Sequence, residues 1–179
     1  MSFEFEFLDW LQTLHTPMLD RFFSTITHLG DAGILWILLA VILLVIPKTR
    51  KVGAAIAIAL VIDLILCNGI LKNLVARTRP FDINETVSLL IKAPTDFSFP
   101  SGHTAASFAA VAALFFSKEK WMWKVFGVIA IVIAFSRMYL YVHYPTDVLG
   151  GIFIGVFAGF AGWYIVTKLE GKFVSKKGR

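Results

Sequence analysis

Long apolar runs dominate this chain and limit what it can fold into. Several of them approach the ~20 residues that an α-helix needs to cross the hydrocarbon core of a bilayer. Charged residues make up only 16% of the chain and the mean hydropathy is +0.76, far from the usage of soluble domains. We predict an all-α integral membrane protein, a helical bundle of five to six helices in one domain (1-179). The runs lie at residues 33–46, 52–71, 101–117, 121–137 and 147–167.

The N-terminal region does not match these runs. The first run is too short to span a membrane alone, so we expect it to extend back through Gly30, with a break between residues 30 and 33. Residues 1–20 include an aromatic and acidic stretch, and the acidic start is unlike that of a signal peptide. We predict an amphipathic helix lying in the membrane interface. A short strand at the FEFEF sequence is the alternative.

The placement of charge predicts the orientation of the bundle. The net charge of +5 does not indicate nucleic acid, because most of the basic residues fall in connections on one side of the five spans. By the positive-inside rule that side, with the C-terminus, is cytoplasmic. The single cysteine, Cys67, allows neither an internal disulfide nor a zinc pair. The basic groups lie at residues 48–51, 118–124 and 168–179.

The remaining six cations fall on the outer side, where the same rule disfavours them. Three sequence stretches meet there, each at the outer end of a different predicted helix: KNLVARTRP (72–80), PSGH (100–103) and SRMYLYVHYPTD (136–147). Residues 72–100 form the longest loop and are predicted to be an outer active-site loop. The six cations are Arg21, Lys72, Arg77, Arg79, Lys92 and Arg137.

Clustered lysine and arginine residues are typical of a site for a phosphoryl group, whose oxygens need positive donors in the transition state. Acyl transfer would need an activated serine or cysteine with an oxyanion hole, and metal-assisted hydrolysis would need more ligands than two histidines and one carboxylate. Two predicted helix starts, at Ser101 and Pro145, would direct unpaired N–H groups toward the same anion. Gly102 has no side chain and lets an oxygen approach its N–H.

Two histidines complete this group. Asp147 lies four residues after His143, a spacing that lets its carboxylate reach one ring nitrogen and leave the other free as a nucleophile. His103, on another helix, is then available as a general acid for the leaving oxygen.

At these residues the sequence resembles the type 2 phosphatidic acid phosphatase superfamily. Its three-part signature is Lys-x6-Arg-Pro, then Pro-Ser-Gly-His, then Ser-Arg-x5-His-x3-Asp, and this chain matches all three in order. The matched positions are Lys72, Arg79 and Pro80; Pro100, Ser101, Gly102 and His103; and Ser136, Arg137, His143 and Asp147.

The resemblance implies the helical core that these phosphatases share with vanadium haloperoxidases, and a metal-independent lipid phosphatase without a cofactor. It implies that His143 attacks phosphorus while Asp147 orients it, and that His103 protonates the leaving group and then activates water. The residues implied to hold the phosphate are Lys72, Arg79, Ser101, Gly102 and Arg137. The apolar spans argue against the soluble haloperoxidases of this superfamily.

A site level with the lipid headgroups favours a lipid phosphate or diphosphate as substrate. Fold-level analogy makes undecaprenyl diphosphate the first choice, with phosphatidylglycerophosphate or phosphatidic acid as the alternative. A non-catalytic lipid-phosphate binder or flippase is the rival from another class, although such a protein would not need both histidines.

Several other residues carry weaker expectations. Asp63, inside an apolar run, must face protein or water; we expect a hydrogen bond to another helix, with a substrate-channel or proton role as the alternative, and we expect Asn68 on a different face. A headgroup or solvent contact is expected for Arg77, with a substrate contact as the alternative. The tyrosines at 139, 141 and 144 are expected to form an interfacial belt. The glycines at 151, 155 and 159 are expected to pack inside the bundle rather than in a dimer.

Overall fold

A computed structural model describes residues 3–119 and 121–177, with side chains as far as Glu170. The helices are α1 (Phe3–Gln12), α2 (Pro17–Thr27), α3 (Ile34–Val45), α4 (Arg50–Asp63), α5 (Lys72–Val75), α6 (Pro80–Ile83), α7 (Gly102–Phe116), α8 (Met122–Tyr139) and α9 (Pro145–Lys177). A 3₁₀ turn, His28–Gly33, joins α2 to α3, and a π-helix, Leu64–Leu71, joins α4 to α5.

The predicted all-α bundle is confirmed. Four segments are long and apolar enough to cross a membrane, and α7 is a shorter apolar helix among them. We call the end of the bundle that carries Lys72, Gly102 and Pro145 the site end, and the end that carries the 48–51 and 118–124 connections the basic end. Part of the third basic group, residues 171–179, lies outside the described side chains. The four segments are Pro17–Val45, Arg50–Ile83, Met122–Tyr139 and Pro145–Glu170.

Small residues hold α9 against α7 and α4. A β-carbon added at Gly155 would lie 2.4 Å from the Ala105 carbonyl oxygen, and one added at Gly162 would lie 2.4 Å from the Ala55 carbonyl oxygen. Backbones this close leave room only for glycine. Gly159 meets α7 in the same way, so the predicted role of this glycine repeat in packing within the bundle is confirmed. The resulting rigid centre fixes where α7 and α9 begin.

The helices α3 and α4 touch most closely at the basic end. A β-carbon at Gly53 would lie 2.5 Å from the Leu44 backbone nitrogen. Above this contact, toward the site end, both helices line one cavity. The pair therefore closes at one end and leaves a slot between its helices at the other.

The predicted break before α3 is confirmed. Ala32 and Gly33 both adopt positive φ angles, 49° and 68°, which interrupt the helical hydrogen bonding. The break carries Asp31 to the site end of the bundle, where it lines the cavity.

The π-helix corrects the expectation for Asn68. In an α-helix a residue five positions after Asp63 points to another face, but the wider turn of a π-helix brings position i+5 back to the same face. Both side chains line the same cavity. The expected bond from Asp63 to another helix was wrong, because its Oδ1 has no hydrogen-bond partner among the described residues.

The N-terminal segment forms the helix α1, so the alternative of a strand at FEFEF was wrong. Leu8 and Leu11 are fully buried and pack against Tyr141 and Tyr144. The expected aromatic belt was also wrong, because all three tyrosines are buried in protein, at 0–3% exposure. The last residues of the predicted 1–20 segment already belong to α2. A location in the membrane interface stays a prediction for α1.

Candidate active site

Six of the eight residues singled out in the sequence line one cavity of about 780 Å³ at the site end. They come from three helices, α5, α7 and α8, and from the connections before α6 and α9, because each apolar helix begins or ends at this level. Ser101 and Asp147 are fully buried in the adjacent wall, where the Ser101 N–H donates to the Asp147 carbonyl oxygen at 3.1 Å. The six lining residues are Lys72, Arg79, Gly102, His103, Arg137 and His143.

His143 lies in the short connection before α9 and is 1% exposed. Its Nδ1 lies 3.5 Å from Asp147 Oδ2, longer than an ordinary hydrogen bond, and its Nε2 lies 3.4 Å from Arg79 Nη1. Burial lowers the pKa of His143 to about 3. The nearby Arg79 charge lowers this pKa as well, whereas the contact with Asp147 opposes the shift. The imidazole is therefore neutral at physiological pH.

Asp147 is held by more contacts than its histidine alone. Its Oδ2 accepts hydrogen bonds from Ser98 Oγ at 2.5 Å and from the Tyr144 backbone N–H at 2.9 Å, and its Oδ1 accepts one from Arg77 Nη1 at 2.7 Å. The Asp147 side chain has no solvent exposure, so these donors must replace the hydrogen bonds that water would make to the charged carboxylate. The network fixes the carboxylate beside Nδ1 and leaves Nε2 toward the cavity side.

Arg77 forms protein contacts that were not expected, while 26% of its side chain stays accessible to solvent. Besides Asp147, it donates to Glu4 Oε2 at 2.6 Å and to Thr146 Oγ1 at 2.7 Å. Its guanidinium lies 3.8 Å from the centre of the Tyr144 ring. Arg77 thus ties α1 to the start of α9, a role that sequence spacing did not indicate.

His103, in the first turn of α7, contacts a carboxylate of its own. Its Nε2 lies 2.9 Å from Asp31 Oδ1, and Asp31 Oδ2 lies 2.7 Å from His28 Nδ1. A β-carbon at Gly30 would come within 2.6 Å of the His103 ring, so the glycine makes room for it. Both Asp31 and the pairing of His28 escaped the sequence analysis, although Asp31 lies in the predicted break.

The cations Lys72 and Arg79 are already paired with a carboxylate, that of Asp96. Lys72 Nζ donates to Asp96 Oδ2, and Arg79 Nη2 donates to Asp96 Oδ1 at 2.5 Å. Burial alone would raise the pKa of Asp96, but the hydrogen bond and charge of Lys72 and the charge of Arg79 lower it to about 2. Asp96 therefore holds the position in which these two cations would bind a phosphate oxygen.

The position of Arg79 is fixed by backbone groups as well. Its Nε donates to the Asp96 carbonyl oxygen at 2.7 Å and its Nη1 to the Val142 carbonyl oxygen at 2.6 Å. Arg137, 3% exposed, donates from Nη1 to Thr27 Oγ1 at 2.7 Å, while its Nε has no partner among the described residues. Arg137 therefore retains a free donor beside the cavity.

The start of α7 differs in one detail from the expectation. Ser101 occupies the position before the helix but makes no capping hydrogen bond with its side chain; its Oγ accepts one from Thr104 Oγ1 at 3.0 Å. A β-carbon at Gly102 would lie 3.1 Å from Asn68 Oδ1, so the absence of a side chain keeps this side of the cavity open.

The sequence is also similar to those of known phosphatases. The sequence model of the PAP2 superfamily matches residues 37–170. An undecaprenyl-diphosphatase of Sulfolobus acidocaldarius is 36% identical over 126 residues, covering 70% of this chain and 60% of that protein's length. Phosphatidylglycerophosphatase B of Bacillus subtilis is 35% identical over 154 residues, covering 80% of this chain and 73% of its own.

A solved structure shows the same fold. The crystal structure of Aquifex aeolicus LpxE superposes with a TM-score of 0.78 at 28% sequence identity, covering 90% of this chain and 95% of that one.

Proposed function

This chain belongs to the PAP2 superfamily, and we propose that it is a membrane lipid phosphatase that hydrolyses a phosphomonoester or diphosphate through a phosphohistidine intermediate. The observation that carries the proposal is the meeting of His143 and His103 with three cations at one cavity. A neutral imidazole, a second titratable imidazole and positive donors are the groups that phosphoryl transfer to a protein nitrogen requires.

In the first step His143 Nε2 attacks the phosphorus of the bound lipid. A bond forms between Nε2 and phosphorus while the bond from phosphorus to the leaving oxygen breaks. That oxygen is the ester oxygen of a monophosphate, which leaves as the lipid alcohol, or the bridging oxygen of a diphosphate, which leaves as the lipid monophosphate, and His103 supplies the proton that it takes up. Lys72, Arg79, Arg137 and the Gly102 N–H stabilise the equatorial oxygens of the transferring group. Asp147 stabilises the positive charge that develops on His143.

In the second step His103, now neutral, removes a proton from a water molecule that attacks the phosphohistidine. The bond to Nε2 breaks, inorganic phosphate leaves, and His143 returns to its neutral form. Ser101 lies behind Gly102 and holds the backbone of α9 through its N–H bond to the Asp147 carbonyl oxygen. The proposal assigns no metal and no cofactor to either step.

Substrate binding requires that Asp96 leave Lys72 and Arg79. Asp96 belongs to the segment that joins α6 to α7, and its side chain is 53% exposed, so this carboxylate can turn toward solvent without disrupting a helix. A bound phosphate dianion then places two negative charges beside Lys72 and Arg79, where the Asp96 carboxylate placed one.

The slot between α3 and α4 suits the apolar body of the substrate. Ile37, Val41, Leu60 and Val61 line the cavity below the cations, so a lipid chain can lie there while its phosphate meets Lys72. We propose undecaprenyl diphosphate as the first candidate substrate, which the archaeal relative supports by its name. Phosphatidylglycerophosphate or phosphatidic acid is the second, and the bacterial relative supports the former.

The bundle is a multi-pass membrane protein by its apolar helices and its family. We propose that the site end faces the extracytoplasmic side and that the C-terminus is cytoplasmic, because Lys48, Arg50, Lys51 and Lys118 lie at the basic end. Membrane lipids, and no nucleic acid, are the proposed partners.

The test is release of phosphate by the detergent-purified protein from a panel of lipid phosphates and diphosphates, with EDTA present. We expect hydrolysis with wild type and none with His143→Ala. Binding of a lipid phosphate without any hydrolysis would favour the rival binder or flippase. Activity that survives His143→Ala, or that EDTA abolishes, would contradict the mechanism.

A further inference from the structure

The wall of the slot carries one polar group that the reaction above does not use, the carboxyl of Asp63. Asp63 is the last residue of α4, is 3% exposed, and lines the cavity. Its Oδ1 has no hydrogen-bond partner within the part of the chain that the structure describes. An unpaired carboxyl oxygen in apolar surroundings is costly, and intramembrane ionisable groups usually serve a function.

The position of Asp63 defines its distance from the phosphate cations. Nine residues separate it from Lys72, which places it on the order of 10 Å below the cations along the helix axis. Leu60, Val61 and Leu64 surround it on the cavity side. None of these side chains can donate a hydrogen bond. Oδ1 itself is sealed from solvent, so a molecule in the slot pairs with it when the carboxyl turns about its Cβ–Cγ bond, which exchanges the two oxygens.

A π-helix follows this carboxyl along the chain. It starts directly after Asp63, and its wider turn brings Asn68 to the same cavity. Such local π-helices occur frequently at functional sites. Asn68 lies beside Gly102, close to the catalytic level, so the two polar side chains mark two depths of one path from the cations into the slot.

We propose that Asp63 is a hydrogen-bond subsite for a hydroxyl or amide N–H carried by the apolar body of the lipid substrate. The inference rests on the proposed phosphatase function and narrows its substrate class: lipid phosphates with a donor about 10 Å from the phosphate bind better than those with an unsubstituted hydrocarbon chain. A chain without a donor leaves Oδ1 unpaired, and that penalty is the source of the selectivity.

The probes are hexadecyl phosphate and a series of monohydroxyhexadecyl phosphates in which the hydroxyl moves along the chain. Wild type should hydrolyse one member of the series with kcat/KM about tenfold above hexadecyl phosphate, the size expected for one buried hydrogen bond. Asp63→Leu should abolish this preference while it still cleaves hexadecyl phosphate. Val128→Leu, an apolar change on an exposed face of α8, should keep the preference.

Asp63→Asn keeps the shape of the side chain and tests the same claim should the leucine variant fail to fold. Because an amide donates as well as accepts, this variant should accept the methoxy analogue of the preferred probe as well as the hydroxyl probe, whereas wild type, assayed at about pH 9 so that the carboxyl is ionised, should reject it. Hydrolysis of all probes at one rate by wild type, or an unchanged preference in Asp63→Leu, would overturn the subsite. Hydrolysis of no probe and of no lipid in the panel would instead overturn the phosphatase function.

Discussion

The two histidines of the site face one cavity, but their surroundings differ. The His143 side chain and its carboxylate, Asp147, are 2% and 0% exposed, whereas the His103 side chain and Asp31 are 19% and 48% exposed. Asp147 accepts from three donors other than its histidine, while Asp31 belongs to a turn with two positive-φ residues at its end. The proposed nucleophile, His143, therefore lies in the packed part of the bundle, and the proposed acid–base group, His103, lies on its more exposed, less constrained side.

This difference predicts unequal losses when each imidazole is removed. His143→Ala should lower lipid hydrolysis by about ten-thousandfold, because no phosphohistidine can form. His103→Ala should lower it by about a hundredfold to a thousandfold, the usual contribution of a general acid. Steady-state phosphate release measures both. Equal losses for the two variants would contradict the assignment of different roles.

A second test of the difference between the two histidines removes a contact from the buried side of the site, around His143. Arg77→Gln removes a donor from the buried Asp147 and the link to α1. We expect kcat to fall about tenfold to a hundredfold, as for other partners that orient a reacting group, with KM nearly unchanged. Arg21→Gln, an exposed cation on α2, is the matched control. A rise in KM alone would mean that Arg77 binds substrate instead of positioning Asp147.

A substitution on the more exposed side of the site, around His103, should lower activity less. Asp31→Asn weakens the contact with His103, and we expect about a tenfold loss with a lipid phosphate. With p-nitrophenyl phosphate, whose leaving oxygen needs no protonation, the loss of the first step should disappear. Pre-steady-state release of nitrophenol measures it. An equal loss with both substrates would show that Asp31 supports the fold and not proton transfer.

A substitution beside the cations Lys72 and Arg79 should have a smaller effect, and it should tighten phosphate binding instead of lowering activity. Asp96→Asn removes the carboxylate that competes for Lys72 and Arg79, so inorganic phosphate should inhibit several-fold more tightly, on the order of 1 kcal/mol. The fitted inhibition constant measures this, with Asp82→Asn in α6 as the control. Weaker inhibition would mean that Asp96 helps to assemble the phosphate site.

The smallest change is expected when the charge of the His143 ring is followed as the pH is lowered. Because burial lowers the pKa of His143 to about 3, below the ordinary value of about 6.5, its ring should remain neutral as the pH falls from 8 to about 5. Asp147→Asn should lower that pKa further, since Asp147 opposes the effect of burial. Nitrogen chemical shifts of the histidine ring report the charge. A midpoint near 6.5 would contradict a buried nucleophile.

The packed and open sides also differ in how far the sequence predicted them. His143, His103 and the cations could be predicted, since a phosphoryl group needs these residue types and the sequence carries them in the three-part signature of the family that it resembles. The supporting contacts could not, because they join distant parts of the chain: Arg77 reaches Glu4, 73 positions away, and His103 reaches Asp31, 72 positions away.

Two expectations failed because local rules were applied where tertiary structure overrides them. The three tyrosines resemble a belt in sequence, but α1 covers Tyr141 and Tyr144, and Leu19 and Phe23 of α2 pack against the cluster that holds Tyr139. Asn68 was assigned to another face by the α-helical period, which the π-helix after Asp63 does not follow.

The central claim is that the buried histidine, and not its more exposed counterpart, carries the phosphoryl group. The direct measurement is to mix His103→Ala with p-nitrophenyl phosphate, quench in base, and locate the bound phosphate by mass spectrometry. We predict one base-stable, acid-labile phosphate on His143, and none in the double variant that also lacks His143. Phosphate on any other residue, or the same labelling without His143, would contradict the account.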